Sequence, residues 1–193
     1  MNVLLAALLA TALIAGTDDE VVERVNARIG GYDVAAASCQ DVFRDVAEPG
    51  SALFNFRYEI TGVSQGGRYR GKVTFSLGDV TIRLPRSIVW KGMSEVDREH
   101  ASALRRTIYH HEAGHVRIAE AVRDALNAAD TITAPGRFAF SAAAEALGRD
   151  GFARFQREER EYDALTDHGR TQHVAPGALA GPDTTLICRT TER

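Results

Sequence analysis

Leu104, Ile108, His111, His115, Ile118, Val122 and Leu126 recur at steps of three or four residues, which lines them up on one stripe of an α-helix. A stripe of that kind is buried, so two imidazoles enter the interior of whatever fold this chain adopts. Unpaired there, they would cost free energy. Residues His111-Glu112-Ala113-Gly114-His115 within the stripe match H-E-x-x-H. Histidines at i and i+4 lie one turn apart on one face and can grip a single metal ion. Glu112 stands about 100° further round the helix, where a carboxylate reaches a water beside the metal rather than the metal itself. The competing reading is a pair of core histidines hydrogen-bonded to neighbours, which gives Glu112 no purpose. With six histidines in 193 residues, a chance match has odds on the order of 1%.

The flanking pattern predicts how that helix is framed. Ser94 with Asp97 three residues on reads as a capping box, and the helical pattern runs to about Leu126. Asn127, Asp130 and Pro135-Gly136 mark a break. A last helix is predicted over about residues 141–168, with a weak point at Gly148 or Gly151 and Gly169 as its left-handed stop. Upstream, Val21, Val22, Val25 and Ile29 suggest a short amphipathic element ended by Gly30-Gly31, and Ser38 caps a second short helix carrying Val42, Phe43 and Val46. Period-two alternation then predicts strands through Phe54, Phe56, Tyr58 and Ile60, through Tyr69, Val73, Phe75 and Leu77, and through Val80, Ile82 and Leu84. Residues 62–67 and Gly78-Asp79 read as the turns between them, and Pro85 as the end. The expectation is an α+β fold: an antiparallel meander of three to four strands packed with the motif helix and a second long C-terminal helix.

A catalytic zinc site takes three protein ligands and leaves one position open. Phe152, Phe155, Glu159, Tyr162, Asp163 and Thr166 share one side of the last helix, and carboxylates on an apolar face need a partner. Glu159 and Asp163 have E-x-x-x-D spacing, which resembles the ligand and its supporting acid in gluzincin metalloproteases. His168 just before Gly169 is a third candidate, provided the helix ends there. Glu158, Glu161 and Asp167 read as solvated charges, His110 as an edge or exposed residue, and Trp90 as a packing anchor.

His111-Glu112-x-Gly114-His115, followed by Tyr162-Asp163-x-x-Thr166-x-His168-Gly169, resembles the DUF922 family, described as predicted secreted zinc-dependent proteases. The resemblance covers roughly residues 31–172. It implies a zincin-like metallohydrolase with Zn2+ as cofactor and a peptide or protein substrate. His168 and Asp163 lie inside the second motif and Glu159 outside it, which orders the third-ligand candidates His168, Asp163, Glu159. In that order the metal set is His111, His115 and His168. Asp163 then orients a ligating ring. Glu112 is the catalytic base, and Tyr162 either donates its hydroxyl to an oxyanion or is a core aromatic.

Residues 2–15 are almost wholly apolar, too few to span a bilayer and of the length of a signal-peptide core, with small residues following. No Lys or Arg precedes them. The expected organisation is a signal peptide over 1–16, a metallohydrolase domain over 17–174 and an irregular tail over 175–193. The product is periplasmic or secreted, with no membrane span after cleavage. In an oxidising compartment Cys39 and Cys188 form one bridge or remain two free thiols. A net charge of −3 gives no basic footprint for nucleic acid. Three functions fit: a zinc peptidase, a zinc-stabilised binding module without turnover, and a zinc amidase for a non-protein substrate.

Overall fold

The structure is a computed structural model that describes residues 16–38, 41, 50–128 and 131–181. It is an α+β domain with one mixed sheet of four strands. In chain order the elements are α1 (Asp18–Arg24), β1 (Arg28–Ala36), β2 (Ser51–Gln65), β3 (Arg68–Trp90), α2 (Glu95–Asn127), β4 (Ile132–Ala134) and α3 (Arg137–Thr166). Two short 3-10 turns follow, Gln172–Val174 and Gly177–Leu179. The apolar run over residues 2–15, the short helix around residues 42–46 and both cysteines lie outside the described residues. Among the described residues no helix is long and apolar enough to cross a membrane.

The sheet differs from the expected meander in two ways. Strands two and three of that meander are a single strand, β3, which pairs antiparallel with β2 along both halves. Gly78-Asp79 is a bulge within β3 rather than a turn: Asp79 takes a φ of 49°, and the register slips opposite Leu53 and Asn55. A residue in the left-handed region can either reverse a chain or insert one extra residue into a ladder, and sequence does not separate the two. The Asp79 carboxylate is tied down by Arg57 at 3.0 Å. Pro85 does not end the strand either. It pairs opposite Tyr32, and the register shifts at the next residue, which accommodates the missing N–H.

The second difference is β1, which pairs parallel to the far half of β3 and makes the sheet mixed, in the order β1-β3-β2. Gly30-Gly31 lies inside this strand instead of ending an element. Val34 is its one buried residue, so its alternation carries almost no signal. The short β4 adds to the same edge of β3 beside Tyr69 to Gly71. Between β1 and β4 that edge has no strand neighbour at Phe75 among the described residues. The Asn127 side chain fills the gap, accepting from Phe75 N at 2.8 Å and donating to Phe75 O at 2.9 Å.

Both long helices lie on one face of the sheet. The Ser94–Asp97 capping box forms as expected and starts α2. α3 begins four residues earlier than expected and runs unbroken through Gly148 and Gly151. Those glycines mark close approach: a Cβ would come within 2.4 Å of the Tyr58 ring at position 148 and 2.6 Å of the Phe75 ring at 151. One apolar cluster joins α3, the β2–β3 hairpin and the later turns of α2 through Phe56, Phe75, Ile118, Val122 and Phe155. Phe56 and Phe155 stack with centroids 4.6 Å apart. A second cluster joins α1, β1, the second half of β3 and the first turns of α2 through Val21, Ile82, Leu84, Leu104 and Ile108. Residues 111–115 fall where the two clusters meet. Of the segment expected to be an irregular tail, the described residues 175–181 are docked through Ala175 and Leu179, both buried.

Candidate metal centre

His111 and His115 are buried on α2 and face the last two turns of α3. Three atoms converge there. His111 Nε2 and His115 Nε2 are 3.2 Å apart, and Asp163 Oδ1 lies 3.3 Å from the first and 3.0 Å from the second. The far side of each ring determines what these atoms are. His111 Nδ1 meets Gln172 Oε1 at 2.9 Å, and Thr166 Oγ1, whose proton goes to Tyr162 O, at 3.4 Å. His115 Nδ1 meets Glu159 Oε2 at 2.7 Å. These neighbours accept, so each neutral ring carries its proton on Nδ1 and presents a bare lone pair at Nε2.

Two imidazole nitrogens and a carboxylate oxygen packed this closely are held by a shared proton or by a cation between them, and the group could hold a metal ion. The surroundings point the same way. Burial works against a charge on His115, yet Glu159 and Asp163 outweigh it and push its pKa up to about 10. Burial acts to raise Asp163, but the two imidazoles beside it hold it below the usual carboxylate range. Burial pulls His111 down, which keeps that ring neutral and available as a ligand. Four-coordinate zinc with nitrogen and oxygen ligands at 2.0–2.1 Å separates its donors by about 3.4 Å in tetrahedral geometry. The observed spacings are within a few tenths of an ångström of that value. The group fits a metal ion in donor type, distance and charge, and His111, His115 and Asp163 are the residues that can hold one.

The centre opens into a cleft of about 210 Å3. Glu112, Glu159, Asp163 and His168 line it together with the imidazoles, and Gly50, Ser51, Ala52, Leu53 and Ile108 form the opposite wall. Glu112 therefore shares a cavity with the donor group, as its place in the motif requires. Gly50 lies so close that a Cβ there would meet Glu112 Oε1 at 2.3 Å.

The last helix distributes its roles differently from the expected order. Asp163 supplies the third vertex. Glu159, ranked last as a ligand, occupies the supporting place on His115 that had been assigned to Asp163. Glu159 Oε1 is buried with no hydrogen-bond partner. α3 ends at Thr166, and Asp167 and His168 both adopt left-handed backbone before Gly169. That turn brings His168 to the mouth of the cleft, 54% exposed, with Nδ1 3.7 Å from Asp163 Oδ1. Tyr162 stands behind the rings instead of in the cleft. It stacks on His111 at 4.9 Å, is 2% exposed, and spends its hydroxyl on the His111 carbonyl at 3.3 Å. This geometry gives it the core-aromatic role rather than that of an oxyanion donor. Gly114 makes room for it: a Cβ would lie 2.1 Å from the Tyr162 hydroxyl. Gln172 was not foreseen as part of the site. It stands among the polar residues Arg170, Thr171 and His173 after the last periodic segment, and nothing distinguishes it from them.

The fold and site define an α+β domain with a candidate two-histidine, one-aspartate metal centre on a long helix. A family model described as "Bacterial protein of unknown function (DUF922)" matches residues 30–169, and the chain belongs to this DUF922 family. No curated protein and no solved structure matches the chain.

Proposed function

We propose that this chain is an exported zinc peptidase, with His111, His115 and Asp163 as ligands and Glu112 as general base. The observation that carries the reading is the convergence of three donor atoms beside Glu112 in a cleft open to solvent. Two imidazoles and a carboxylate suit zinc among the common divalent ions. When bound, zinc polarises a carbonyl and makes water a nucleophile near neutral pH.

The chain's own groups divide the remaining work. Glu112 takes the proton of the attacking water and returns it to the leaving amine. Glu159 and Gln172 keep the ligand rings oriented through their Nδ1–H groups. His168, at the mouth, is placed to meet substrate. β2 is an edge strand among the described residues, and its first residues line the cleft. An extended peptide adds to such an edge by main-chain hydrogen bonds. Export rests on the apolar run over residues 2–15.

The cleft volume favours a second reading. About 210 Å3 is below the ~300 Å3 at which drug-sized sites begin, so a compact amide outside proteins also fits. A panel of casein, short peptides and small non-peptide amides separates the two readings. In the wild type, zinc loading is expected to produce hydrolysis of one class. Glu112→Gln is expected to keep its metal and lose turnover by about 10²–10⁴-fold. Unchanged turnover in Glu112→Gln would remove the proposed base, and zinc retention with no hydrolysis of any amide would leave a metal-stabilised binding module.

A further inference from the structure

A hydrogen-bond path, partly buried at Asp18 and His110 and buried at Gln172, runs from the N-terminal helix to the ring of His111. His110 precedes that ligand by one residue and turns away from the cleft. Its Nδ1 lies 2.8 Å from Asp18 Oδ2, and its Nε2 lies 3.2 Å from the Leu179 carbonyl oxygen. Both neighbours are acceptors, which hold the His110 ring between α1 and the Leu179 carbonyl. The same carbonyl receives Gln172 Nε2 at 2.5 Å, which uses its second lone pair. That contact decides which way the Gln172 amide points. With its nitrogen on Leu179, its oxygen faces His111 Nδ1. His111 must then hold its proton on Nδ1 and offer Nε2 to the donor triangle.

The far end of the path is anchored as firmly. Asp18 Oδ1 accepts from Arg117 Nη2 at 2.9 Å. The Arg117 side chain is 3% exposed, so Asp18 is its counter-charge in the interior. Positions 110 and 117 are two helical turns apart and share a face. One carboxylate from α1 therefore brackets the stretch of α2 that carries both histidine ligands. Val21 and Val22 bury α1 on the same side.

We propose that Asp18, His110 and Gln172 are positioning residues of the metal centre, joined through the Leu179 carbonyl, which together hold His111 in its Nδ1–H tautomer. The proposal rests on the reading of His111 as a ligand. Asp18 and Gln172 both lie outside the family-matched residues 30–169, one on each side, so flanking segments of this chain complete the site. Without Gln172, His111 Nδ1 keeps only the 3.4 Å contact to Thr166 Oγ1. The ring is then free to move its proton to Nε2, which blocks the ligand position.

The test uses Asp18→Asn, Gln172→Leu and the double variant in the full chain. Zinc affinity is read by competition with a chromophoric chelator, and the tautomer by 15N shifts of the His111 ring in metal-free protein. Gln172→Leu is expected to weaken zinc about 10–100-fold, and Asp18→Asn about three- to tenfold. The double variant should lose no more than Gln172→Leu alone, because the path is already cut. In metal-free protein both single variants should move the ring signals away from the Nδ1–H pattern. Additive losses, or ring signals unmoved by Asp18→Asn, would overturn the path. Should Gln172→Leu fail to fold, the ring signals of Asp18→Asn decide. A wild type that binds no zinc yet shows these ring shifts keeps the path and sinks the metal reading. Zinc binding with unmoved ring signals does the reverse.

Discussion

At the scale of single residues, the main division of labour is between Asp163 and His168. Asp163 Oδ1 touches both imidazole nitrogens, whereas His168 is held at the cleft mouth by two left-handed residues. Asp163→Ala is therefore expected to lose the metal, and His168→Ala to bind it within about tenfold of wild type, below the about 10–100-fold cost of removing a group that orients a ligand ring. Metal content after dialysis measures both. Equal loss in the two variants would make His168 a ligand after all. Gly114 makes a second residue-scale test. A methyl group there meets the Tyr162 hydroxyl, which sits in a full hydrogen-bond network with Gln172 and the His111 carbonyl. Gly114→Ala is expected to destabilise the fold by about 1–3 kcal/mol in urea unfolding, the usual effect of overpacking a filled core.

At the scale of elements, legibility followed periodicity. α2 was readable because its apolar stripe is long and its capping box local, and the ligand histidines lie on that stripe. The β2 alternation was readable for the same reason. β1 was not, because a strand with one buried residue and two central glycines carries no period. The Gly78-Asp79 bulge and the Pro85 shift were misread because turn chemistry and bulge chemistry use the same residues. The third ligand was open for a further reason: the wheel put Glu159 and Asp163 on one face, but only the crossing of α2 and α3 decides which carboxylate reaches both Nε2 atoms. Asn127 is another feature that only the assembled fold explains. It was read as a helix-ending residue, and it also serves as a one-residue strand against Phe75. Asn127→Ala leaves the Phe75 N–H and C=O without their partner and is expected to cost about 1–3 kcal/mol. Thermal or urea unfolding measures it, and a change under about 0.3 kcal/mol would show that water replaces the amide without loss.

At the scale of the whole molecule, the candidate metal centre lies where the two halves of the core meet. α2 carries the two imidazoles into the seam and α3 the carboxylate, while α1 packs beside His110 and residues 170–181 close over the back of the His111 ring through Gln172. Binding at such a seam should stabilise the entire domain in proportion to metal concentration above Kd. The most direct measurement combines zinc content per chain with X-ray absorption at the zinc edge, on full-length protein dialysed against limiting zinc. The expected result is about one zinc per chain, two imidazole nitrogens and carboxylate oxygen at about 2.0–2.2 Å, and loss of that signal in His115→Ala. A chain that takes up no zinc, or a zinc shell without imidazole, would contradict it.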